Sequence, residues 1–213
     1  MSKNYDRAGR LKAVTADGKT TTYNYLGNGA RESVVYSGGA REDYTYYADG
    51  LLHTLTNKKA DGSVIDTYSY TYDAAHNQIT KTDAKGTTSY TYDVLNRLET
   101  VTEPNGTKTT YTYDKAGNRE TETVKLGSNT ALNTYSYNEQ NRLMQVTTKQ
   151  NGTLTTTTAY TYDNNGNQLT TTVNGTVTVT NNYDNRNQLI RTITGSITVE
   201  NLYNGEGYRV EKK

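Results

Sequence analysis

The sequence predicts an all-β chain: an antiparallel meander of about twenty short strands in a coiled β-strip. Three observations predict it. A tyrosine-anchored motif returns every 20–26 residues along the whole chain. The strand-favouring residues Thr and Tyr, 41 and 21 in number, fill 62 of the 213 positions. No stretch carries the sustained 3.6-residue apolar stripe that a surface helix needs.

The anchors are Tyr5, Tyr25, Tyr46, Tyr72, Tyr92, Tyr113, Tyr137, Tyr162, Tyr183 and Tyr203. Such internal periodicity is the signature of a repeat architecture. In seven repeats a second Tyr stands two residues earlier, as in Tyr90-Thr91-Tyr92. A strand has a side-chain period of two, so both rings face the same side. Asp or Asn follows most anchors, at Asp6, Asp73, Asp93, Asp114, Asn138, Asp163, Asp184 and Asn204. Such a side chain can accept a backbone N–H two residues on and cap a tight turn.

Four residues past the anchors stand Gly9, Gly29, Gly50, His76, Asn96, Gly117, Asn141, Gly166, Asn187 and Gly207. Gly and Asn suit the point in a turn where the chain takes positive φ. Arg or Gln followed by Leu often comes next, at Arg10-Leu11, Arg97-Leu98, Arg142-Leu143, Gln168-Leu169 and Gln188-Leu189, while one repeat runs on through Asn118-Arg119. Strand, turn and strand are thus written into each repeat.

A second turn signal lies about halfway between anchors: Asp17-Gly18, Asp61-Gly62, Lys85-Gly86, Asn105-Gly106, Asn151-Gly152, Asn174-Gly175 and Thr194-Gly195. Asn-Gly and Asp-Gly are the strongest short hairpin signals, and the three Asn-Gly pairs read as type I′ turns. The longer spacings near residues 57–67 and 127–134 read as extended hairpin tips. Each repeat therefore codes two strands of roughly 6–8 residues, and the array reads as one domain over residues 1–213. Leu98 and Val101, like Leu143 and Val146, are three apart and would fall on opposite faces of a regular strand. A bulge or a late strand start would each reconcile them.

Composition excludes several classes. Leu, Ile and Val total 32 residues and Phe is absent, so the usual apolar core is replaced by half-polar sheet faces. The net charge of +1 lacks both the excess typical of disorder and the concentrated basic face that nucleic acid requires. No run of ~18 apolar residues is present for a membrane span, and residues 1–6 lack the apolar segment of a signal peptide. Without cysteine there are no disulfides and no thiolate chemistry.

No catalytic or cofactor motif occurs, and the chain reads as a non-enzyme with no cofactor and no metal. His53 and His76 lie 23 residues apart with no metal-ligand spacing. Asp163, Asn165 and Asn167 have the oxygens of a calcium loop but place Gly at its fourth position, which favours turn capping. Asn105, Asn151 and Asn174 match the glycosylation acceptor pattern and also hairpin turns. Arg10, Arg97, Arg119 and Arg142 could form an anion-binding row, or pair with a neighbouring repeat's Asp or Tyr ring. The Tyr rows could stack sugar rings, or pack on one another as the substitute for a core.

The segment Tyr113-Asp114-Lys115-Ala116-Gly117-Asn118-Arg119 resembles the YD repeat, also called the Rhs (rearrangement hotspot) repeat. So do Tyr162-Asp163-Asn164-Asn165-Gly166-Asn167-Gln168-Leu169 and Tyr203-Asn204-Gly205-Glu206-Gly207-Tyr208. That family includes bacterial Rhs and wall-associated polymorphic toxins, insecticidal toxin complex C subunits and teneurins. The resemblance implies a β-strip spiralling into a hollow shell, secreted or at the cell surface, which in the toxins encloses a C-terminal toxic domain. The Asp-Pro-containing autoprotease segment of bacterial members has no counterpart here; Pro104 sits in the hairpin Glu103-Pro104-Asn105-Gly106. The expectation is therefore shell wall without self-cleavage or toxin, a trimmed or short array. Its partners would be an enclosed toxin domain in a longer parent, further copies of itself through edge pairing or face-to-face closure, and in the alternative reading a cell-surface or wall glycan.

Overall fold

The computed structural model describes residues 1–213 and contains twenty antiparallel strands with no helix. It divides into two units, Met1–Gly106 and Thr107–Lys213. The first holds β1 (Ser2–Tyr5), β2 (Leu11–Ala16), β3 (Lys19–Tyr25), β4 (Arg31–Val35), β5 (Arg41–Tyr46), β6 (Leu52–Lys58), β7 (Val64–Tyr72), β8 (Gln78–Asp83), β9 (Gly86–Tyr92) and β10 (Leu98–Thr102). The second holds β11 (Lys108–Tyr113), β12 (Arg119–Leu126), β13 (Asn129–Tyr137), β14 (Leu143–Gln150), β15 (Thr153–Tyr162), β16 (Gln168–Val173), β17 (Thr176–Tyr183), β18 (Leu189–Thr194), β19 (Ile197–Tyr203) and β20 (Arg209–Lys212). Within each unit every strand pairs with its chain neighbours, which makes a meander.

The anchor turn gives all ten repeats one register break. Tyr92 pairs with Leu98 and Thr91 with Thr100, so Glu99 is an extra residue on β10. The same step recurs at Tyr5/Leu11, Tyr25/Arg31, Tyr46/Leu52, Tyr72/Gln78, Tyr113/Arg119, Tyr137/Leu143, Tyr162/Gln168, Tyr183/Leu189 and Tyr203/Arg209. A bulge of this kind returns the strand to the opposite parity. Leu98 therefore faces Tyr92 while Val101 faces Tyr90, and all four share one face. Leu143 and Val146 do the same with Tyr137 and Tyr135. The bulge is the answer to the three-residue spacing.

The other face is a hydroxyl ladder. Thr45–Thr54, Thr71–Thr80, Thr91–Thr100, Thr112–Thr121 and Thr161–Thr170 each bring Oγ1 atoms within 2.5–2.8 Å across the strands. Such cross-strand pairs contribute roughly 0.2–1 kcal/mol each. They matter here because Val34 is the single buried hydrophobic side chain. Stability is spread over many half-buried pairs instead of gathered in a core.

The midway turns differ from one another. Asp17-Gly18, Asn151-Gly152 and Asn174-Gly175 have positive φ at both residues, as type I′ requires. Asn105-Gly106 does not, and that reading is corrected. Only Gly106 has positive φ, and its N–H returns to the Glu103 carbonyl at 2.9 Å. The ring of Pro104 sets φ near −65° at the turn's second residue and excludes the I′ form. The turn after Thr194 uses Gly195 and Ser196, with φ +58° at Gly195, which suits type II′. Near residue 127 the added length lies in strands: the tip is only Gly127-Ser128, while β12 runs eight residues and β13 nine.

Candidate functional site

Each anchor turn is closed by its own polar side chain. At the first, Asp6 N–H donates to the Arg10 carbonyl (2.9 Å) and Gly9 N–H to the Asp6 carbonyl (3.0 Å). Asp6 Oδ1 accepts the N–H groups of Ala8 and Arg10, and Oδ2 accepts Arg10 Nε at 2.7 Å. Asp93 repeats this set with Leu95 and Arg97. Asp73 and Asp163 hold Asn77 and Asn167 through backbone and side-chain amides, Asp114 holds Asn118, and Asp184 takes the N–H groups of Arg186 and Gln188. Asn138 and Asn204 cap their turns in the same way. All ten residues four places past an anchor, from Gly9 to Gly207, have positive φ, including His76 at +65°.

These bonds favour the charged carboxylate. Asp6 and Asp93 lie below the ordinary carboxylate range chiefly through the backbone N–H of Arg10 and Arg97. Asp73, Asp114 and Asp163 are lowered chiefly by the side-chain amides of Asn77, Asn118 and Asn167.

The anchor tyrosine joins one repeat to the one before it. Tyr25 Oη donates to the Leu11 carbonyl at 2.8 Å, Tyr46 to Arg31, Tyr92 to Gln78, Tyr137 to Arg119, Tyr162 to Leu143, Tyr183 to Gln168 and Tyr203 to Leu189, all at 2.8–3.2 Å. The acceptor is always the residue six places past the preceding anchor. Burial raises the phenols of Tyr92, Tyr137, Tyr162 and Tyr183 above their ordinary value. Sequence reasoning missed this bond. The signal for it is the chain's 21 Tyr against no Phe: a ring alone does not serve.

Cations stack on this tyrosine face. Arg10 lies 4.6 Å from the Tyr25 ring centre, Arg142 lies 6.0 Å from Tyr162, and Arg119 lies 4.6 Å from Tyr111 and 6.0 Å from Tyr135. The acidic partners of Arg10 and Arg97 are Asp6 and Asp93 of their own turns, 2.7 Å away, not the Asp of a neighbouring repeat. The i+4 geometry of the closed turn brings each pair together. Two carboxylates also sit on this face. Glu42 accepts Tyr36 Oη at 2.5 Å together with Tyr44 Oη, and pushes the Tyr36 phenol up to about 12. Glu122 takes Arg119 Nη1 at 2.9 Å and lies 3.4 Å from Tyr135 Oη.

Other candidates are held by the fold. No group of three or more His, Asp or Glu side chains is gathered as a metal-ion set. The oxygens of Asp163 are occupied by Asn165 and Asn167. His53 stacks on Tyr47 with ring centres 4.5 Å apart, and His76 Nε2 is 3.9 Å from Asp49. Asn151 and Asn174 use their side-chain oxygens to accept the N–H groups of Thr130 and Thr157 at 2.8 Å.

The RHS Repeat family model matches residues 72–107 and 92–130. Among curated proteins the sequence finds no match. The TcdB2-TccC3 crystal structure is similar at TM-score 0.65 and 19% identity, over 95% of this chain and 15% of that one. TcdB2-TccC3 without its hypervariable C-terminal region gives 0.64 and 20%, over 95% and 14%. The Tc holotoxin pore of Photorhabdus luminescens with a TccC3 mutation gives 0.56 and 16%, over 99% and 13%. At these identities the likeness is one of fold, and this chain spans about one-seventh of the length of those chains. The matched motif is the one that recurs from Tyr5 to Tyr203, so residues 72–130 match the RHS Repeat family model and the flanking repeats carry the same motif.

Proposed function

We propose that the chain is a non-catalytic wall segment of a hollow β-shell, part of a secreted or surface-exposed bacterial protein that encloses or presents a toxin domain. The observation that carries this is the tyrosine clamp: hydroxyl after hydroxyl is used to fasten one repeat to the next. Seven anchor phenols that would otherwise be free to meet a glycan are engaged in that packing. The fold shared with TccC3-containing structures, over a small part of their length, supports the same reading. The anchor spacing continues at 21 residues from Tyr92 to Tyr113, which supports one repeat domain over the whole sequence.

A chimera of TcdB2-TccC3 tests it, with this array replacing the segment it aligns with. The expected result is a complex whose enclosed C-terminal region still resists protease. Saturable calorimetric binding of a wall or cell-surface glycan, abolished by Tyr160→Ala, would favour the binding-module reading instead. The wall reading also carries self-association. β1 and β20 each pair on one side only, with β2 and β19, and so offer open N–H and C=O groups. Sedimentation at several micromolar concentrations is expected to show a dimer or larger species; a single 23.7 kDa species throughout would remove that part of the proposal.

A further inference from the structure

The crests of successive anchor turns touch, and the contacts follow a rule. Where the residue five places past an anchor is Asn, the residue four places past the next anchor is also Asn. Asn77 Nδ2 donates to Asn96 Oδ1 at 2.9 Å, Asn118 to Asn141 at 2.9 Å and Asn167 to Asn187 at 2.8 Å. Where the first residue is longer, the second is Gly. Arg142 Nη1 reaches the Asp163 carbonyl at 3.2 Å, Arg10 Nη1 reaches Leu26 at 3.4 Å, and Gln188 Nε2 reaches Gly207 at 3.4 Å.

At Gly166 and Gly207 glycine leaves the room that the long side chain occupies. A Cβ on Gly166 would stand 2.9 Å from Arg142 Nη2 and 3.0 Å from Cζ, and one on Gly207 would stand 3.1 Å from Gln188 Nε2. An Asn at either place would push the long side chain off its carbonyl. Conversely, Gly opposite Asn118 would leave its amide only the Asp114 acceptor of its own turn and no bond to the next repeat. Both Gly and Asn accept the positive φ of the turn, so the backbone does not decide between them; the neighbouring repeat does.

We infer that, where the residue five places past an anchor is Asn, Arg or Gln, it selects the residue four places past the next, a pairing code that fixes which repeat follows which; Ala30 before Gly50 and Leu51 before His76 lie outside it. The code alternates along the second unit. Asn141, Gly166, Asn187 and Gly207 are matched in order by Asn118, Arg142, Asn167 and Gln188. A slip that skipped one repeat would oppose Asn118 to Gly166 and Arg142 to Asn187, mispairing both. Repeats with near-identical strands are otherwise prone to such slips, and a mismatch penalty against the wrong neighbour is how specificity is obtained. The rule stands on contacts within each unit and holds whether or not the wall reading does.

Double-mutant cycles on the full chain test it, read as melting temperature. Gly166→Asn alone is expected to lower it by roughly 2–4 °C, a typical shift for about 1 kcal/mol in a chain of this size. Arg142→Asn combined with Gly166→Asn creates an Asn–Asn pair and is expected to regain most of that loss. At a second junction Asn141→Gly, a substitution the backbone accepts readily, is expected to be rescued by Asn118→Arg. Pairing Gly166→Asn with Asn118→Arg, which do not meet, is expected to be additive. Additive losses at both true junctions would overturn the code.

Discussion

Asn201 shows how much a single repeat position is worth. It takes the place two residues before an anchor that Tyr fills in seven repeats, and it is only 5% exposed. Its Nδ2 donates to the Leu189 carbonyl at 2.9 Å, but its Oδ1 is buried without a partner. The preceding repeat solves the same problem: Asn181 Oδ1 accepts Thr192 Oγ1 at 2.9 Å, and Thr192 is its register partner. In the last repeat that partner is Lys212. An unsatisfied buried acceptor costs about 1–3 kcal/mol. Lys212→Thr is therefore expected to stabilise the chain by about 1 kcal/mol, a rise of roughly 2–4 °C in calorimetry. An unchanged or lower melting point would show that the orphaned oxygen costs nothing.

At the scale of elements, the anchor turn and the clamp can be perturbed separately. Tyr162→Phe keeps the ring and removes the bond to the Leu143 carbonyl. The expected cost is about 0.5–1.5 kcal/mol, the usual net worth of one hydrogen bond. Tyr162→Ala, which also removes the ring, should cost distinctly more, and equal effects would mean that the hydroxyl carries all of the contact. The turns respond to acid instead. Asp6, Asp73, Asp93, Asp114 and Asp163 are held below their ordinary value of 3.8. A lowered native pKa contributes stability that is complete above the unfolded value and lost as pH falls through the native one. Melting temperature is expected to be flat with respect to these groups above about pH 4 and to fall below it. Asp73→Asn should reduce that acid response, and an unaltered profile would show that the turn carboxylates do not drive it.

The whole molecule responds at the alkaline end through its tyrosines. Tyr44, Tyr72, Tyr92, Tyr111, Tyr137, Tyr162 and Tyr183 are raised above 10.0, with burial the largest cause. Tyr36 is raised to about 12 by Glu42. For a raised native pKa the stabilising contribution is complete below the unfolded value and disappears as pH climbs through the native one. Phenolate absorbance should therefore lag behind that of the unfolded chain from about pH 10 upward, and unfolding should accompany its completion. Coincident titration curves for folded and unfolded chain would contradict the burial of this face. With one buried hydrophobic side chain, no conventional core exists to carry the chain past that point.

The sequence by itself determined the all-β class, the ten repeats and the places of the anchor turns. These rest on local chemistry: tyrosine and threonine favour strands, Asp caps its own turn, and the residue four places on must accept positive φ. His76 and Asn96 could be assigned there from spacing alone. The tertiary structure decided what depends on the neighbouring strand or repeat. It replaced one type I′ turn with a form that Pro104 permits, and it resolved Leu98 and Val101 with a bulge visible only in the pairing register. It also revealed the tyrosine bond to the preceding repeat and the matching of Asn118 to Asn141 and of Arg142 to Gly166. These partners lie 14 to 24 residues apart, and no local rule ties them. They meet only when each meander turn is laid against the next, which is why the residues were legible in the sequence and their pairing was not.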